Sequence, residues 1–286
     1  AEAGRALVDY LGECLFVGGT KPLGQQIAQF CAVNGGGQPE ATIIASGKKT
    51  LVSRAALANG TMALGFEYAD YGAGSRPYPF AVNGPLCLAE FRKLSGKQLA
   101  LAIVVGYEVM WRTFRGMHPK GHTGFYTPAV YGTLGSGAAC AKLLALDADH
   151  TQAAINFAVG LTGGSFQGHE EGSWQRCLNG GIAGERGVTA AMLAESGYQA
   201  SKMGLEGIQG FAASFGDKTV RCDAMFEGLG ESFIIKQRWV KAYPMNTTLH
   251  APTEALLKVM ADNNLHHSEI VEISAAWQKV EPFLAK

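Results

Sequence analysis

Glycine set beside alanine limits how this chain can fold. The chain has 286 residues and 38 glycines. They often sit beside alanine, as over residues 132–141 and 180–191. A glycine inside a helix costs about 1 kcal/mol relative to alanine. The usual compensation is close approach of a second backbone, which a Cβ would block. These stretches therefore read as tightly packed helices buried in a bundle, not as flexible linkers.

Helix punctuation supports a mainly α chain. Ser95-x-x-Gln98 is a capping-box pattern, followed by Leu99, Ile103, Val104, Tyr107 and Trp111 at helical spacing. Asp149-x-x-Gln152 is a second such pattern, ahead of a helix over residues 153–161. Pro128 is placed to open a helix reaching Leu146. Pro252 is placed to open another over residues 253–261, with Leu256, Leu257 and Met260 as its apolar face. Glycine and proline over residues 72–79 predict a loop. The pattern changes at residues 269–277, where Ile270, Val271 and Ile273 predict a strand.

Composition narrows the function classes. Hydrophobic residues make up 47% and charged residues 17%, the balance of a soluble globular protein large enough for one or two domains. Twenty-four basic and 24 acidic residues give a net charge of zero, which argues against a general nucleic-acid binder. The six cysteines are far apart with no Cys-x-x-Cys pair, so neither a zinc ribbon nor a disulfide framework is expected. Reduced thiols fit a cytoplasmic location. The longest apolar stretch, residues 99–110, is broken by Glu108 and too short to span a bilayer, so no membrane partner is expected. The glycine-rich segments lack the strand–helix order of a dinucleotide site, and no P-loop is present.

Several polar clusters can carry chemistry. Glu67 and Asp70 lie three residues apart before the glycine–proline loop, near Tyr71, Arg76 and Tyr78. Neighbouring carboxylates push each other's pKa apart, as acid–base work requires, although solvated surface charge is the competing reading. His118 and His122 have metal-ligand spacing, but Pro119 and Gly121 lie between them and no metal site is expected. Arg176 offers a planar fork for a carboxylate, or else pairs with a helix acid such as Glu185. Lys241, in Lys-Ala-Tyr-Pro, would be surface charge if judged alone.

Longer motifs tie these clusters together. They are Asn59-Gly60 through Pro79, Gly124-Phe-Tyr126-Thr-Pro-Ala-Val-Tyr-Gly132-Thr-Leu-Gly, Gln175-Arg176-Cys-Leu-Asn-Gly-Gly181, and Lys241-Ala-Tyr243-Pro244-Met-Asn246 ahead of His250. In these the chain resembles the MmgE/PrpD family, which includes 2-methylcitrate dehydratase, cis-aconitate decarboxylase and iminodisuccinate epimerase. The resemblance implies a mainly α fold: a large helical-bundle domain, residues 1–265, and the start of an α/β lid domain over residues 266–286. It also implies a homodimer.

The same resemblance implies site residues. Glu67, Asp70, Tyr78, Tyr126 and Lys241 are the catalytic candidates. Tyr71, Arg176, Asn246 and Arg76 are the substrate-binding ones. Leu64, Tyr78 and Tyr126 stand where the family carries histidine, Tyr71 where it carries threonine, and Arg176 where it carries lysine. A phenol with an unperturbed pKa near 10 is a poor base at neutral pH, so Tyr126 changes the expected chemistry. The implied function is a cofactor-independent lyase removing a proton or CO2 next to a carboxylate of a small di- or tricarboxylic acid. Two alternatives are a two-base epimerase using Tyr126 and Lys241, and an inactive binding homologue.

Overall fold

In a computed structural model the glycine-rich stretches are helices, buried throughout residues 132–141 and over most of residues 180–191. Residues 1–36, 39–72, 79–117, 124–216 and 220–275 are described. Arg76, Tyr78, His118 and His122 lie outside them. The chain forms two compact units, Ala1–Val240 and Lys241–Lys286. The domain boundary expected after residue 265 and this division do not coincide.

The first unit contains α1 (Glu2–Thr20), α2 (Pro22–Val33), β1 (Ala41–Thr42), β2 (Lys49–Thr50), α3 (Val52–Met62), α4 (Phe80–Phe91), α5 (Gly96–Met117), α6 (Thr127–Leu143), α7 (Ala148–Leu161), α8 (Gln167–Glu170), α9 (Gln175–Glu195) and α10 (Phe211–Phe215). The mainly α class is as expected. The two strands pair antiparallel, Ala41 opposite Thr50. They are too short for alternation to mark them in the sequence.

Helix α6 is buried on every side from Ala129 to Ala141 and packs against α4, α5, α7 and α9. A helix apolar all round belongs in a core. Small residues let its neighbours close in. A Cβ on Gly180 of α9 would lie 2.5 Å from the Gly60 carbonyl oxygen of α3, and one on Gly181 would collide with the Leu57 carbonyl. Several buried polar groups between these helices are paired. Tyr10 donates to Asn83 Oδ1 at 2.7 Å, and Asn83 Nδ2 donates to the Ala56 carbonyl at 2.8 Å. Asn59 Nδ2 donates to the Thr42 carbonyl at 2.9 Å, tying α3 to the hairpin.

The Ser95 capping box forms, with Gln98 N donating to Ser95 Oγ at 3.3 Å and Ser95 N to Gln98 Oε1 at 3.0 Å. Other helix ends correct the sequence reading. Helix α7 is capped by Asp147, not Asp149, through His150 N at 2.9 Å. Two acidic residues lay within reach of that turn, and only geometry chose between them. Helix α6 starts at Thr127, with Pro128 in its first turn, and stops at Leu143.

The second unit holds a 3-10 turn, Thr247–Leu249, then α11 (His250–Asp262) and a second turn, His267–Glu269. Helix α11 begins before Pro252, in whose first turn the missing N–H costs nothing. Its expected apolar face is only partly covered, and Leu257 is exposed. The strand expected at residues 269–277 is not formed over the described part. Glu269 ends a 3-10 turn and residues 270–275 have no sheet partner among the described residues. A β-type composition without a partner strand makes no ladder.

Among the described residues no helix is long and apolar enough to cross a membrane, and no group of three or more His, Cys, Asp or Glu side chains is placed to hold a metal ion.

Candidate active site

The site in the first unit is built where three backbone segments meet: residues 66–71 after α3, residues 124–126 before α6, and the turn through α8 into α9. The first segment is held from α1. Buried Glu13 accepts from the backbone N–H of Phe66 at 3.2 Å and of Tyr68 at 3.4 Å. Between these two amides Glu67 takes a left-handed backbone, with φ of 58°. A non-glycine residue is held there only when its surroundings over-determine it.

The second and third segments are stitched together by main chain. Tyr126 N donates to the Gly164 carbonyl at 2.8 Å, and Phe166 N donates to the Gly124 carbonyl at 2.9 Å. Gly164, with φ of 123°, makes this approach possible; a Cβ there would lie 2.5 Å from Asn179 Oδ1. The stitch sets the Tyr126 ring beside those of Phe166 and His169, with centroids 6.3 and 6.1 Å away. Helix α8 then lies against the start of α9. A Cβ on Gly168 would be 3.1 Å from the Arg176 amide nitrogen.

Arg176, in the first turn of α9, forms an ion pair with Glu67. Glu185, the alternative partner, pairs instead with Arg54 at 3.2 Å. Burial works against the Arg176 charge. Glu67 outweighs it, with Tyr126 and Cys177 adding to it, so its pKa stands above the usual value. The guanidinium is therefore a permanent cation in a largely buried place. Burial pushes the Cys177 thiol up, against the pull of Arg176, so it is not a ready nucleophile.

Asp70 sits differently. It is buried and accepts from Tyr107 at 2.7 Å and from Arg238 Nε at 2.9 Å. Arg238 also pairs with Asp9. Tyr71 makes an antiparallel bridge with Trp239, its N–H donating to the Trp239 carbonyl at 3.1 Å. Asp70 and Tyr71 thus anchor residues 238–239 to the bundle, three residues away from the Glu67–Arg176 pair. Lys241 and Asn246 belong to the second unit. The Lys241 side chain is buried. Asn246 Oδ1 caps the following turn through Thr248 N at 3.1 Å. Of the expected residues, the first unit brings together Glu67, Tyr126 and Arg176.

The family-model comparison matches the MmgE/PrpD N-terminal domain over residues 1–222. The chain belongs to the MmgE/PrpD family. Its helical bundle is the N-terminal domain of that family, and the curated relatives are consistent with it. Cis-aconitate decarboxylase of Homo sapiens is 31% identical over 177 residues, 58% of this chain and 35% of the relative. Cis-aconitate decarboxylase of Aspergillus terreus is 26% identical over 232 residues, 76% of this chain and 47% of the relative. A cis-aconitate decarboxylase-like protein of Aspergillus oryzae is 30% identical over 155 residues, 50% of this chain and 32% of the relative. The chain spans less than half the length of each of these MmgE/PrpD relatives.

Sequence reading missed two members of the cluster. Glu13 lies far from the motifs, in an ordinary amphipathic helix, and nothing in its spacing singles it out. His169 lies in Gly168-His-Glu-Glu-Gly172, seven residues before Arg176. That short spacing across a glycine-bounded turn was the available signal.

Proposed function

We propose that this protein acts as a lyase on a small di- or tricarboxylic acid, removing CO2 or water next to a carboxylate. The observation that carries the reading is Arg176, a buried permanent cation balanced by Glu67 beside the Tyr126 phenol. A substrate carboxylate can take the place of the Glu67 carboxylate on the guanidinium, with bidentate geometry. The displaced Glu67 is then a neighbouring acid–base group. The names of the curated relatives favour decarboxylation of a cis-aconitate-like acid. Water exclusion at this site would strengthen the cation's hold on charge developing at the substrate. The reading needs no redox cofactor.

The test is proton NMR of the full-length protein in D2O with citrate-, aconitate-, malate- and aspartate-like acids. A new vinylic product with CO2 release supports decarboxylation, and one without it supports dehydration. Deuterium entering the α-carbon with no net conversion overturns the lyase in favour of an epimerase. Silence with every acid overturns it in favour of a binding homologue.

A further inference from the structure

The Tyr126 phenol leaves the site short of a group that titrates near neutrality. A tyrosine with its ordinary pKa near 10 gives up a proton slowly at pH 7 and is a weak base in its neutral form. Glu67 pairs with Arg176 until substrate displaces it, and a carboxyl ordinarily titrates well below neutrality. Cys177 is held protonated by burial. The described histidines of the first unit are His150, which pairs with Asp147 at the surface end of α7, and His169.

His169 is inside the cluster. Its ring stacks on Tyr126 at 28° between planes, and lies 4.7 Å from the Phe166 ring. Its Nδ1 is shielded from solvent, as is the Tyr126 hydroxyl oxygen, while the residue as a whole is only half-buried. The turn that carries it is fixed at both ends. Phe166 is tied to Gly124, and Ser173 donates to the Gly168 carbonyl from N at 2.9 Å and from Oγ at 3.2 Å. The glycine before it abuts the first turn of Arg176. A half-buried imidazole is thus held beside the phenol, on a turn packed against the backbone of Arg176.

We propose that His169 is a proton-transfer residue of this site, working beside Tyr126 on an acid whose carboxylate Arg176 holds. The proposal rests on the lyase reading above. In a decarboxylation the C–C bond to the departing carboxylate breaks, CO2 leaves, and the electron pair stays on the remaining carbon framework. Arg176 stabilises that charge through the retained carboxylate. The His169 imidazolium gives its N–H proton to the carbon, forming the new C–H bond. The neutral imidazole regains a proton from water. Histidine suits this step because its ordinary pKa lies near operating pH.

The experiment uses the full-length protein and two readouts. In the first, long-range proton–nitrogen NMR spectra of the histidine rings are followed as citrate is added, with H169Q and H169N assigning the signal. A saturable shift of the His169 ring signal that is lost in R176A is expected. A His169 signal that stays fixed while citrate binds overturns the proposal without any need for turnover. The second readout is conversion of the active acid from the panel above. H169Q should lose about 100-fold in kcat with KM little changed, and added imidazole should restore part of the rate to H169A. A folded H169Q with wild-type kcat overturns the role of His169 while the lyase reading stands. A wild-type protein that converts no acid overturns both, and the wild-type assay alone identifies that case.

Discussion

Arg238 and Asp70 are joined at 2.9 Å between Nε and Oδ2, 168 positions apart in sequence and both almost wholly buried. Tyr107 completes the carboxylate's shell at 2.7 Å. The pair closes the last segment of the first unit onto the bundle. Removing Asp70 leaves the buried Tyr107 hydroxyl without this acceptor and takes one carboxylate from Arg238, which keeps Asp9. Asp70→Ala should therefore cost about 1–3 kcal/mol of stability. Urea unfolding followed by circular dichroism measures it. A variant of unchanged midpoint that has lost only turnover would make Asp70 a catalytic group instead.

The approach of α3 to α9 makes a matched pair of glycine predictions. Gly181→Ala drives a methyl into the Leu57 carbonyl and should destabilise by about 1–3 kcal/mol. Gly4→Ala, in α1 with no atom within 4 Å of the new Cβ, should stabilise by about 0.4–1 kcal/mol. Opposite signs in thermal or urea unfolding are the expected result.

Thiol reactivity should separate the cysteines. Burial pushes Cys31 up to about 11 and Cys87 up to about 12, in Cys87 against the hydrogen bond from Asn59. Cys14 and Cys140 are also raised by burial. Cys222 is exposed. A chromogenic disulfide reagent at pH 8 should titrate Cys222 rapidly in the native protein and all six thiols in denaturant. Cys222→Ser should abolish the rapid phase.

Glu90 carries a pH-dependent part of the stability. Burial alone would raise its pKa, but Thr42, donating from N at 2.8 Å and Oγ1 at 2.6 Å, and Lys49 at 3.1 Å hold it below the ordinary value. A depressed folded pKa gives stability that is present above the unfolded value, about 4.3, and lost as pH falls through the folded one. Wild type should exceed Glu90→Gln at pH 7, and the gap should be smaller at about pH 3. Urea midpoints at the two pH values check the sign.

At the candidate site, Arg176→Ala should weaken binding of a citrate-like acid by about 10- to 100-fold, the loss of a charge-assisted hydrogen bond. Arg176→Lys should recover part of that loss, since it keeps the charge but not the fork. Calorimetric titration reads both.

The sequence by itself determined the helical class, the burial of residues 132–141 and the Ser95 cap, whereas Glu67, Tyr126 and Arg176 stood out through the family resemblance. The first three rest on local causes: backbone propensity and side-chain reach over one turn. Tertiary structure decided the rest. Whether Arg176 meets Glu67 or Glu185 depends on how α9 crosses the segment after α3. Whether residues 270–275 become a strand depends on a partner, and none lies beside them among the described residues. Glu13 and His169 enter the cluster only because α1 supports residues 66–68 and the Gly124–Tyr126 segment pairs with residues 164–166. Such contacts join positions far apart in the chain, and no window of sequence contains both ends.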